Sequence, residues 1–204
     1  MKTKTPENSG VLFLLKVGEA VISVNIIIAR GDESGQARII RDQMLCSVVE
    51  SYRQEKIKIA KSGKPYLEVK DTGFSVSHSN GTVLVAVNSK KAVPDAVICY
   101  EGGDDYNIGC DIEALGKRNS KNLIRLCDKK FSDLEKARVE ASADKKTAIL
   151  EIWTKKEAYL KLIGTGIKGL MTADTETLSK DYIFYTEKVS LNEDDFILSV
   201  CVKR

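Results

Sequence analysis

Ile108-Gly109-Cys110-Asp111-Ile112-Glu113 is a short apolar run carrying two acids two positions apart. Side chains alternate faces along a strand, so a strand at Ile108–Ile112 projects Asp111 and Glu113 from the same face. Side by side, two carboxylates repel. The pair is therefore either a solvated strand edge or part of a site for a hard divalent cation, for which magnesium is the natural candidate. Immediately upstream, residues 88–107 carry Pro94, Gly102-Gly103 and Asp104-Asp105. Such punctuation predicts a connection between two lobes, with the boundary near residue 103. The acid strand thus opens a second lobe, 104–204, and residues 1–103 form the first.

Outward from that strand, the second lobe reads as helix at 133–141 and a longer helix at about 147–163, with Ile149, Ile152, Trp153, Leu160 and Ile163 on its inward face. A glycine-rich loop follows, then strands at 182–189 and 196–202, the latter alternating Phe196, Leu198, Val200 and Val202 on one side. In the first lobe a polar lead-in reaches a strand at Val11–Val17. Ala37, Ile40, Met44, Leu45, Val48 and Val49 then recur at helical spacing between Ser34 and Tyr52. Short strands at Ile57–Ile59 and Tyr66–Val69 flank Ser62-Gly63-Lys64-Pro65, and strands at Phe74–Ser77 and Thr82–Val87 flank the hairpin residues Ser79-Asn80-Gly81. Each half holds strands and a packed helix, which predicts an α+β fold of two similar lobes.

A chain of 204 residues with 43% hydrophobic content has enough apolar material for such cores. A formal charge of +3, from charges of both signs spread along the chain, excludes a dedicated nucleic-acid binder and suits anionic partners. The 5 cysteines are widely spaced, and with a single histidine they do not compose a zinc site. Their apolar neighbours predict small reduced core residues and a cytoplasmic setting. The sequence shows no signal-peptide pattern, and its longest apolar run, Val24–Ala29 interrupted by Asn25, is too short to cross a bilayer. The expectation is a soluble protein without a membrane partner.

Three further features have both a bland and a functional reading. Glu157 and Lys161 stand four apart on the long helix, one turn beyond Trp153. They are either a surface ion pair beside a core tryptophan or a carboxylate and an ammonium placed for a metal-bound pyrophosphate. His78 is either incidental or, among Ser77, Ser79 and Asn80-Gly81, a phosphate donor. Lys64, on a loop stiffened by Pro65, is either solvated or held for a ligand.

Taken in order, these segments resemble the 4'-phosphopantetheinyl transferase superfamily, in particular its larger kind that activates non-ribosomal peptide synthetases. The resemblance rests on Gly63-Lys64-Pro65, Phe74 to Ser79, Gly109 to Glu113, Phe131-Ser132 with Glu135, Trp153 to Lys161, and Gly164-Thr165-Gly166, and spans roughly residues 36 to 170. It implies two lobes related by a pseudo-twofold axis, with coenzyme A between them. It implies Asp111, Glu113 and Glu157 as ligands of Mg2+, and Arg38, Lys64, Ser77, His78 and Lys161 as contacts to coenzyme A. Glu157, Lys161 and, as an assisting group, Glu135 would be catalytic. The implied reaction moves 4'-phosphopantetheine onto a serine of an acyl or peptidyl carrier protein and releases 3',5'-ADP, in a monomer. Three departures stand out. Segment 30–37 is acidic at Asp32-Glu33, leaving Arg30, Arg38 and Arg41 for the 3'-phosphate; residues 88–107 are long for the family; and Ala158 stands where serine is common.

Overall fold

The computed structural model describes residues 23–30, 33–50, 52, 56–69, 71–90, 98–101, 106–117, 119–166 and 174–204. Strands β4 (Thr72–Ser79) and β5 (Thr82–Ser89) form the expected hairpin. Asn80 and Gly81 both have positive φ, 51° and 68°, as a two-residue turn matching the twist of its strands requires. Strand β1 (Ser23–Arg30) pairs with β5, and β6 (Ile98–Glu101) pairs with β1, giving a four-stranded antiparallel sheet in the order β4-β5-β1-β6. A helix, α1 (Glu33–Val48), covers one face of this sheet, packing Ala37, Ile40, Met44, Leu45 and Val48 against Val83, Val85 and Val87. Strands β2 (Ile57–Ile59) and β3 (Pro65–Leu67) make a separate two-stranded ribbon.

The second sheet is β7 (Ile108–Ala114), β9 (Asp194–Lys203) and β8 (Tyr182–Leu191), all antiparallel in the order β7-β9-β8. Ile108, Cys110, Ile112, Phe196, Leu198, Val200 and Val202 join Val24, Ile26, Ile28, Leu84 and Ala86 in one core, so the two sheets face each other. The other face of the second sheet carries α4 (Lys145–Ile163), against which α2 (Ser120–Lys130) and α3 (Asp133–Ala141) pack through Leu123, Cys127, Phe131 and Val139. A single turn, α5 (Thr175–Leu178), precedes β8. The molecule is α+β, with layers running helix, sheet, sheet, helix. Gly109 brings α4 unusually close to β7: a Cβ there would lie 1.9 Å from the Ala158 carbonyl oxygen and 2.5 Å from the Leu162 nitrogen.

Several expectations are corrected. The segment Val24–Ala29, given no element by the sequence reading, is a strand whose Val24, Ile26 and Ile28 are buried toward the second sheet while Ile27 and Ala29 pack partly buried on the helix side. Part of 88–107 is strand as well, since β5 extends to Ser89 and β6 adds an edge to the first sheet. Helix α2 was not anticipated. Ile163, expected inward, is 38% exposed at the last position of α4. Cys46, expected in the core, is exposed on α1, whereas Cys110, Cys127 and Cys201 are buried and free. The strand expected at Val11–Val17 and the boundary near residue 103 lie outside the described residues. Among those residues no helix is long and apolar enough to cross a membrane.

Candidate functional site

Asp111 and Glu113 leave β7 on the face that α4 covers, opposite Cys110 and Ile112. Asp111 is 6% exposed, and its Oδ1 accepts hydrogen bonds from Ser77 Oγ at 2.7 Å and from Lys161 Nζ at 2.8 Å. Its Oδ2 is buried with no hydrogen-bond partner. Such an orphan is rare in a folded protein, because a buried oxygen that loses water without gaining a donor destabilises the fold. Glu113 Oε2 accepts from Ser79 Oγ at 3.3 Å.

The charges of these side chains interact. Burial pushes the Asp111 carboxyl above its ordinary value, against the pull of Lys161, and the neighbouring Glu113 charge pushes the same way as burial. Burial pulls Lys161 down, but Asp111, Cys110 and Glu157 together outweigh it and hold the ammonium above its ordinary 10.5. Glu157 is half-buried on α4, one turn before Lys161. Among the described residues, however, no three Asp, Glu, His or Cys side chains stand close enough together to hold a metal ion. What fits a hard cation is narrower. The acids are oxygen donors, Oδ2 of Asp111 is an unused lone-pair donor, and magnesium commonly takes only one or two carboxylates before phosphate and water complete its shell.

The other candidate residues are distributed around this point. Lys64 Nζ donates to the Leu162 carbonyl at 2.6 Å, where a cation suits the negative end of α4. The turn there is closed by Gly164, in the left-handed conformation. Lys64 also lines a cleft of about 720 Å³ with Tyr66, Phe74, Tyr106, Leu162 and Lys203. Ile108 lines it too, so Asp111 lies three residues along β7 from the cleft wall, roughly 10 Å at strand rise. His78 is exposed on β4, and Arg38 is exposed on α1. Arg41 is held by Asp42 at 2.7 Å and lies over the Phe74 ring. Arg30 bridges the sheets, donating to the carbonyls of Asn80 and Leu191, pairing with Asp194 and lying over Phe196. Of the three arginines suggested for a 3'-phosphate, Arg38 alone is left exposed by the packing.

Glu135 is placed elsewhere. It is 0% exposed, and Ser132 N donates to its Oε2 in a capping box at the start of α3. Oε2 also pairs with Lys156 Nζ at 2.7 Å, while Oε1 accepts from Thr175 N and Oγ1 at 3.0 Å each. Trp153 is 8% exposed and lies in the α2–α4 core. Two features escaped the sequence reading: the buried Lys156, and the row Ser75, Ser77, Ser79 that reaches β7. The row has a signal, since Gly73, Ser75, Ser77 and Ser79 are small residues at strand period.

Two comparisons bear on this arrangement. The family model described as the 4'-phosphopantetheinyl transferase superfamily matches residues 107–201, from just before β7 to within β9. The 4'-phosphopantetheinyl transferase gsp of Aneurinibacillus migulanus is 26% identical over 107 residues, 52% of this chain. That alignment covers 36% of the relative's length. The matched stretch contains Asp111, Glu113, Glu157 and Lys161, and over residues 107–201 the chain is similar to the 4'-phosphopantetheinyl transferase superfamily.

Proposed function

We propose that the protein transfers the 4'-phosphopantetheine arm of coenzyme A to a serine hydroxyl of an acyl or peptidyl carrier protein. One observation carries the reading: a buried carboxylate, Asp111, has one oxygen bound by Ser77 and Lys161 and the other left without a donor, within the family-matched segment. In this reaction the serine oxygen bonds to the β-phosphorus of coenzyme A. The bond from that phosphorus to the bridging oxygen breaks, and 3',5'-ADP leaves. Asp111 and Glu113, with Glu157 as a third ligand, would hold Mg2+, which when bound supplies positive charge against the pyrophosphate oxygens. Lys161 stabilises the same growing negative charge from α4. Glu157 accepts the serine proton, directly or through water. Coenzyme A lies in the cleft beside Lys64, with His78 and Arg38 as further phosphate contacts. Glu135 supports the site from a distance by fixing α3 and α5 to α4.

The free thiols of Cys46, Cys110, Cys127 and Cys201 suit a reducing, cytoplasmic setting, and the resemblance to the larger two-lobed kind suits a monomer. Incubation with coenzyme A, magnesium and a panel of apo carrier proteins, followed by mass measurement, tests the reading. A phosphopantetheine mass gain on at least one carrier is expected, and no gain on any carrier counts against transfer. A second reading, a module that binds coenzyme A without transferring it, is favoured by the lack of an assembled three-carboxylate cluster among the described residues. Coenzyme A binding without any mass gain would select it.

A further inference from the structure

Strand β7 is an edge strand of its sheet, and β4 is an edge strand of the other. The two are joined by side chains instead of a backbone ladder. Cys110 N donates to Ser75 Oγ at 3.0 Å and Ala114 N donates to Ser79 Oγ at 3.1 Å. Between those two bonds, Ser77 gives its single hydroxyl proton to Asp111 Oδ1, the same oxygen that Lys161 occupies. Ser75, Ser77 and Ser79 are 6%, 5% and 3% exposed. Ser77 therefore presents neither free surface nor an unused proton to a ligand. Two donors, one from β4 and one from α4, converge on one carboxylate oxygen and leave Oδ2 as the only unsatisfied atom of the group.

We infer that Ser77 is a positioning residue that acts through Asp111, not the coenzyme A contact that the family resemblance implies, and that the first sheet thereby sets the geometry of the acid pair carried by the second. What the acid pair is for rests on the proposed transfer reaction; the positioning does not. A hydrogen-bonded partner that orients a ligating carboxylate is worth about 10- to 100-fold in metal affinity. A direct phosphate contact would instead act on coenzyme A binding whether or not metal is present.

The test compares wild type, Ser77→Ala and Ser77→Thr in the full chain. Mn2+ binding is followed by electron paramagnetic resonance without coenzyme A, coenzyme A binding by calorimetry in chelator, and the Asp111 side-chain conformation by crystallography without metal. Ser77→Ala is expected to weaken Mn2+ by about 10- to 100-fold, leave metal-free coenzyme A binding at the wild-type level, and release Asp111 into more than one rotamer. Ser77→Thr, which keeps the hydroxyl, should restore the first and last. Loss of metal-free coenzyme A affinity with Asp111 unmoved would overturn the inference, as would no change in any readout. If wild type neither binds Mn2+ nor modifies a carrier, the transfer reading fails, and the Asp111 rotamer still decides the positioning. Should Ser77→Ala not fold, Ser77→Cys, with its weak S–H donor, carries the same comparison.

Discussion

Two buried acid–lysine pairs flank α4, and they are built to opposite standards. In the pair Glu135–Lys156 the side chains are 0% and 2% exposed, and both carboxylate oxygens are filled by Ser132, Thr175 and the ammonium. In the pair Asp111–Lys161 the carboxylate has one oxygen doubly bonded and the other bare, and the lysine side chain is 31% exposed. The two lysines are five residues apart on one helix, roughly 140° around its axis. A complete network fixes architecture; an incomplete one, kept beside an accessible cation, has capacity left for a ligand. The sign of the Asp111 shift agrees. A carboxyl raised above its ordinary 3.8 favours the folded state most below that value and loses the benefit as pH rises through its folded value, so ionised Asp111 costs stability at neutral pH.

The sharpest way to break this contrast is Lys156→Met, which strands the Glu135 charge in the core. A loss of about 3 to 5 kcal/mol in chemical denaturation is expected for an orphaned buried charge; an unaffected midpoint would remove the distinction between the pairs. Asp111→Asn should do the reverse, lowering transfer about 10²- to 10³-fold, the scale of a lost electrostatic contact in catalysis, with a smaller stability loss than Lys156→Met, because the lysine that loses its partner is 31% exposed and keeps access to water. Transfer near the wild-type rate in metal-controlled assays would dismiss Asp111 from the site. The same variant carries a titration test. Lys161, raised in the folded state, contributes stability below about pH 10.5 that is lost as pH rises through its folded value. Without the Asp111 charge, the largest effect holding the ammonium up is gone and the Lys161 pKa should fall from its wild-type value, a direction readable from the Nζ resonance by NMR.

Smaller effects sharpen the comparison. Gly109→Ala pushes a methyl into the backbone of α4 and should cost about 1 to 3 kcal/mol in thermal or chemical unfolding. It should also lower transfer by shifting Lys161 relative to Asp111, and full activity would show that the close approach serves packing alone. Ser132→Ala removes one half of the capping box on the Glu135 side and should cost about 1 kcal/mol with transfer retained. A large fall in activity there would give Glu135 more than an architectural part.

Local rules carried much of this fold. The positive-φ pair at Asn80-Gly81, the alternation of Phe196 to Val202 and the long helix ending at Gly164 each follow from residues near in sequence. Strand β1 was missed because helix on one side and sheet on the other demand apolar residues at nearly every position, which erases the period-2 signal. Helix α2 was legible in principle: Asn119 caps it, and Leu123 and Cys127 are its buried residues four apart. The face shared by Asp111 and Glu113 also followed from alternation. The partner of Asp111 did not, because Ser77 lies 34 residues away on another sheet, and its hydrogen bond exists only after the sheets dock. Glu135 shows the converse: Ser132-x-x-Glu135 is a capping box by spacing alone, while its burial against Lys156 is a tertiary fact.

The serine row on β4 also bears on solubility. An uncovered edge strand offers a template onto which another molecule's strand can add, one route to aggregation. At β7 the outward amides of Cys110 and Ala114 are already engaged by hydroxyls, so a foreign strand finds no continuous row of donors. Because short side chains do the sealing, the molecule protects this margin from self-association without laying a further backbone over its two acids.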